Sequence, residues 1–268
     1  MPGELTNSAK SMGLRHGVET QKSLVCSGFF RVMIVHTIFD FLAWCAAALL
    51  GWWLSRTGWL KGYSNRPGFR EQPYYFVSLA VGAICGALFF GSFNMGLAGL
   101  WTIGHSIAGA IAGGVVGVEI YKLLLGIRGS TGLPFVAPLA LGIGIGRLGC
   151  FFAGLPDYTY GTPATVPWAV DFGDGVPRHP VQLYESAAMF LFLIAFLGAV
   201  RWRNEFVLRN GFYLFVGWYA LQRFAWEFLK PYPPVIGPFN TFHLVCAVLL
   251  AYSTFMIWGR SDVVRQAV

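Results

Sequence analysis

The sequence predicts an all-α integral membrane protein of seven transmembrane helices, with the N-terminus outside and the C-terminus in the cytoplasm. Three observations carry this: scarce charge, recurring apolar stretches near spanning length, and basic residues that alternate between successive loops. Charged residues make up 12% of the 268 residues, against about 25% in a soluble domain. No polar block is long enough to fold as a soluble domain, so a single membrane domain is expected. The formal charge of +7 is dispersed along loops rather than gathered in a patch, which argues against a nucleic-acid partner.

About 20 apolar residues cross a hydrocarbon core. Segments 33–54, 75–95, 101–121, 134–154, 184–200, 211–228 and 241–258 qualify, the fifth being short and the weakest. Gly and Pro punctuate most of the gaps. Cytoplasmic loops gather Lys and Arg. Arg56, Lys61, Arg66, Arg70, Lys122, Arg128, Arg201, Arg203, Arg209, Arg260 and Arg265 fall on one alternating set of loops, and only Arg178 and Lys230 on the other. The expected division is an extracytoplasmic or interfacial segment 1–32, a transmembrane domain 33–258 and a cytoplasmic tail 259–268. Segment 1–32 departs from the basic pattern with Lys10, Arg15, Lys22 and Arg31, and reads as an amphipathic stretch on the outer headgroups. It is polar and mixed in charge, with no cleavable signal peptide visible.

The five cysteines are an odd number lying mostly in apolar segments, and no CxxC or Cys/His spacing points to zinc or to a disulfide framework. They read as packing residues, and neither metal nor cofactor is expected.

Arg147 is the costliest residue in the chain. It lies inside Ala137–Gly154, where nothing in its own span can pair with it. A guanidinium stays charged, and centring it in a bilayer costs roughly 2.5–3.5 kcal/mol. A partner or an anionic ligand must compensate, and in a membrane that ligand is very often a lipid phosphate. With the predicted orientation, Asp40, His105, Arg147, His179, Arg223 and Glu227 converge near the outer polar–apolar boundary. Intramembrane ionisable groups default to functional roles. Blander readings stay open: mutual neutralisation of Arg223 and Glu227 at i, i+4, a packing role for His105, a surface position for Asp40, and snorkelling of Arg147.

The stretch Arg178–Glu185 adds to this layer. Pro180 fits a first helical turn, His179 flanks the helix start, Gln182 and Glu185 share a face, and Tyr184 stands at interfacial height. Glu119 answers Lys122 at i, i+3. Glycines at 109, 113, 114 and 117, and at 142, 144, 146, 149 and 154, read chiefly as close helix packing.

These residues carry a resemblance. The stretch 146–154, GRLGCFFAG, resembles the GRxGNFxNGE segment of bacterial prolipoprotein diacylglyceryl transferases. The segment 104–113 resembles that family's histidine-plus-glycines segment, residues 179–185 match its HPxQLYE motif, and Arg223 with Glu227 resembles its RxxxE pair. The motifs occur in the family's order over roughly residues 33–258. The resemblance implies a multi-pass enzyme of the bacterial cytoplasmic (inner) membrane. It would transfer diacylglyceryl from phosphatidylglycerol to the lipobox cysteine of a secreted preprolipoprotein. The thiolate attacks the glyceryl carbon and glycerol phosphate leaves, which requires cations for the phosphate and a base for the thiol proton. By resemblance, Arg147 and Arg223 hold phosphate, His105 is the base and Glu227 orients Arg223. His179, Gln182, Tyr184, Glu185, Cys150, Gly154 and Gly161 would line the site.

The chain departs from the family pattern in places. Cys150 and Ala153 occupy its two Asn positions, Leu155 stands at its Glu, and His36 or Tyr75 stands for a tyrosine near its first span. Two other readings therefore stay open: a paralogue with a non-lipoprotein acceptor, and a non-catalytic protein that binds or transports anionic lipid. The absence of an internal repeat speaks against transport.

Overall fold

The computed structural model describes residues 34–63 and 73–265. The expected interfacial segment 1–32, and Arg66 and Arg70 of the orientation count, lie outside the described residues. Seven helices follow in order: α1 Ile34–Thr57, α2 Pro73–Leu97, α3 Ile107–Leu124, α4 Val136–Ala153, α5 Val181–Arg201, α6 Glu205–Glu227 and α7 Thr241–Arg265. Single 3₁₀ turns at Leu133–Phe135 and Leu155–Asp157 bracket α4. The long α4–α5 connection holds a two-stranded antiparallel hairpin, β1 Val170–Asp171 with β2 Pro177–Arg178.

Six of the helices are long and apolar enough to cross a membrane, and α6 is the exception. α6, expected as the sixth span, falls short of that composition because it carries Glu205, Arg209, Arg223 and Glu227 along its 23 residues. The helix expected to be weakest, α5, runs for 21 residues and is as apolar as any. The third predicted span is corrected at its start. Ser106 caps α3, its hydroxyl accepting from the Gly109 amide at 3.1 Å, so residues 101–106 stay outside the helix.

The helices pack in sequential pairs, α2 on α3, α4 on α5 and α6 on α7, with α5 joining the last two pairs. The α2–α3 seam is built on glycine: a methyl group at Gly113 would overlap the Gly82 carbonyl, and one at Gly109 the Gly86 carbonyl. Backbone-to-backbone approach of this kind is how membrane helices gain contact where burial from water offers little. Val136, Ala137 and Ala140 of α4, Met189 of α5, Phe215, Val216 and Ala220 of α6 and Cys246 of α7 form the buried centre. Trp44, Phe89, Ile194 and Phe255 face outward, leaving the large apolar side chains on the perimeter that a lipid solvent would cover.

Alternation of the helices brings the start of α1, the end of α4, the start of α5, the end of α6 and the start of α7 to one end of the bundle. The charged residues singled out in the sequence collect there.

Candidate functional site

Glu185 is the centre of the site. It lies in the second turn of α5, 1% exposed, and its Oε2 is 2.8 Å from Nε of Arg147 on α4. Its Oε1 accepts from Arg223 Nη1 on α6 and lies 2.9 Å from Nζ of Lys230. Arg223 Nε is in turn 2.9 Å from Glu227 Oε2, one helical turn further along. Asn240 caps α7, its Oδ1 accepting from the amides of Phe242 and His243, and its Nδ2 donates to Glu227 Oε1 at 3.1 Å. The capping residue of one helix thus holds the carboxylate that ends another.

Three cations and two carboxylates leave this buried group with one net positive charge. Breaking such a pair by deleting one member leaves an uncompensated charge, at a cost of about 3–5 kcal/mol. Lys230 stands just past the end of α6. Burial and the repulsion of Arg223 push its ammonium down to about 8, against the attraction of Glu185.

A second group adjoins the first. With its Nε turned to Glu185, Arg147 directs Nη1 to within 3.9 Å of Cys150 Sγ, one turn along α4. His36 Nε2, near the start of α1, lies 2.7 Å from Asp157 Oδ1. Thr159 Oγ1 donates to the other oxygen, Asp157 Oδ2. The donor atoms of His36, Cys150 and Asp157 all lie within 4.8 Å of one another. Asp157 reaches this position because Gly154, at φ +75°, ends α4 and turns the chain back through Leu155–Asp157.

The remaining expected residues divide. His179 Nδ1 lies 3.3 Å from the Tyr184 hydroxyl, which also accepts from Trp168 Nε1 at 2.6 Å. Tyr184 packs on Trp226, and Gly161 sits so close to His179 that a methyl group there would strike its carbonyl. These residues form a wall from the loop to α6. Gln182 is fully buried and, among the described residues, its amide has no hydrogen-bond partner. His105 precedes α3, is exposed, and among the described residues its side chain has no hydrogen bond or ion pair. Asp40 is exposed on α1, and Tyr75 bonds Thr131 at 2.9 Å, where α2 begins and away from the site. Glu119 pairs with Lys122 at 2.8 Å as expected, with Tyr252 donating to the same carboxylate.

Lys230, Asn240 and Asp157 were not among the expected site residues. The one sequence signal for Lys230 was its rarity, as one of two basic residues in the loops of that side.

The model of the family described as prolipoprotein diacylglyceryl transferase matches residues 39–259. The chain belongs to the prolipoprotein diacylglyceryl transferase family. A phosphatidylglycerol–prolipoprotein diacylglyceryl transferase from Geobacter sulfurreducens is 35% identical over 172 residues, 57% of this chain and 62% of the relative. Proteins of the same name from Nitratidesulfovibrio vulgaris and Vibrio vulnificus are 31% identical over 208 residues and 33% over 180. The first of these two matches covers 70% of this chain and 74% of the relative, the second 62% and 64%. The chain thus spans less than two thirds of the length of the Geobacter protein. No solved structure matches. In this member of the family the HPxQLYE stretch ends on the carboxylate that gathers three cations. The GR stretch supplies Arg147 and, where the resemblance expects Asn, Cys150.

Proposed function

We propose that the chain transfers a diacylglyceryl group from phosphatidylglycerol to the lipobox cysteine of a preprolipoprotein, releasing glycerol phosphate. The observation that carries this is the buried Arg147–Glu185–Arg223 cluster with its net positive charge, in a chain of this family. The relatives' names supply donor and acceptor.

A phosphodiester brings the anion the cluster lacks. Glu185 and Glu227 hold Nε of both arginines and Nη1 of Arg223, which fixes the guanidinium planes, and the remaining N–H groups meet the phosphate with little side-chain freedom lost on binding. As the carbon–oxygen bond breaks, charge grows on the departing phosphate beside these cations, in a site poor in water. His179, Tyr184 and Gly161 line the loop side. Below, Ile143, one turn before Arg147 on α4, helps line an apolar cavity of about 370 Å³ that also meets Leu79, Ile111 and Phe215. It suits an acyl chain whose headgroup lies at Arg147.

The site lies at the end of the bundle where the loops are poor in Lys and Arg, which supports an outer-leaflet site with the N-terminus outside and the C-terminus cytoplasmic. In a bacterium this is the cytoplasmic membrane, with residues 33–258 as its transmembrane domain. The test is complementation. In a strain depleted of its own transferase, expression restores thioether-linked diacylglycerol on a lipobox reporter. A correctly inserted protein that restores none would rule out the lipoprotein acceptor.

A further inference from the structure

We propose that His36, Cys150 and Asp157 form a binding site for a divalent transition-metal ion, zinc by donor chemistry, with its fourth position open to a thiol. The three residues come from the start of α1, the last turn of α4 and the 3₁₀ turn after it. Their spacing along the chain, 114 and then 7 residues, is unlike any local zinc signature, so the sequence gives no warning of the site.

Zinc favours an imidazole nitrogen at about 2.0–2.1 Å, a carboxylate oxygen at about 2.0–2.2 Å and a thiolate at about 2.3 Å. In a tetrahedron those lengths put donor atoms ~3.3–3.8 Å apart. Here they already lie within 4.8 Å of one another, so small rotations of half-buried side chains suffice. The supports are in place. Thr159 holds Asp157 Oδ2 and leaves Oδ1 facing His36 Nε2, and Arg147 Nη1 lies 3.9 Å from Cys150 Sγ. Two anionic ligands and a neutral imidazole balance a divalent ion, so the site loads without adding charge to the cluster beside it. One nitrogen, one oxygen and one sulfur suit zinc better than magnesium or calcium, which want oxygen alone. Three protein ligands, rather than four, leave a position for substrate.

What that position would do rests on the proposed transferase reading. An acceptor thiol that binds the metal gives its proton to solvent and becomes a thiolate near neutral pH. Its sulfur then forms a bond to the glyceryl carbon of the lipid. The carbon–oxygen bond to phosphate breaks, and its electron pair leaves with glycerol phosphate beside Arg147.

The test needs no transfer reaction. The full chain is purified in detergent without a histidine tag, stripped with chelator and titrated with Zn²⁺ and with Co²⁺. One equivalent of tightly held metal is expected, and the Co²⁺ form shows thiolate-to-cobalt charge transfer with intense tetrahedral bands. His36→Gln, Cys150→Ser and Asp157→Asn, each checked for an unchanged unfolding temperature, weaken binding at least tenfold, and Cys150→Ser removes the charge-transfer band. Absence of stoichiometric binding to the wild-type chain overturns the site, as does binding undiminished in the three variants. A protein that binds metal as described and transfers no lipid would keep the site and refute the transferase reading instead.

Discussion

Glu185 on α5 faces Arg147 on α4 at 2.8 Å, both almost wholly buried, and the pair joins two helices near one end of the bundle. The same carboxylate meets Arg223 and Lys230, so one anion holds three cations in register.

Glu185→Gln therefore does more than delete one ion pair. It removes the anion that all three cations share and leaves their charges buried. A loss of about 3–5 kcal/mol in stability is expected, read as a marked fall in the thermal unfolding temperature in detergent. Glu185→Asp, which keeps the charge, should recover part of it.

Lys230 gives the site a pH dependence. Its ammonium is pushed down to about 8 by burial, while the unfolded chain holds a lysine proton up to the ordinary range. As pH rises through about 8 the cluster loses its net positive charge, so affinity for phosphatidylglycerol falls. Between about 8 and 10 the unfolded state binds more protons than the folded one, so unfolding free energy rises with pH in that window. Lys230→Met should abolish the alkaline step in lipid binding.

Much of this was legible in the sequence, and what was not has identifiable causes. Arg147, Arg223 and Glu227 stood out because charge inside an apolar helix is costly, and helical spacing alone paired Arg223 with Glu227. Glu185 was visible as part of a motif, but its role as hub depends on how α4, α5 and α6 meet, which spacing does not encode. Asp157 stayed hidden because its position is set by the reversal at Gly154, and Lys230 because a loop lysine reads as solvated. The apolar signal overran at residues 101–106, where the Ser106 cap decides the start of α3. On α6 the charge near the helix end pairs inside the bundle, Arg223 with Glu185 and Glu227.

The glycine seam between α2 and α3 makes a separate prediction. Gly113→Ala forces a methyl group against the Gly82 carbonyl and should cost about 1–3 kcal/mol, read by thermal unfolding. Gly198→Ala on α5, where nothing lies within 4 Å, should leave stability unchanged or slightly raised.

Arg147→Lys keeps a positive charge and discards the planar fork. Binding of phosphatidylglycerol to the purified variant should fall about tenfold, which is about 1.4 kcal/mol, with no comparable change for zwitterionic phosphatidylcholine.

The most direct measurement follows phosphatidylglycerol labelled in its headgroup glycerol, incubated with purified protein and a lipobox peptide. Glycerol phosphate should be released in equal amount to the thioether-modified peptide, and Arg147→Ala should abolish both. No release from the wild-type protein, or release undiminished by Arg147→Ala, would contradict a phosphate held at the buried cluster.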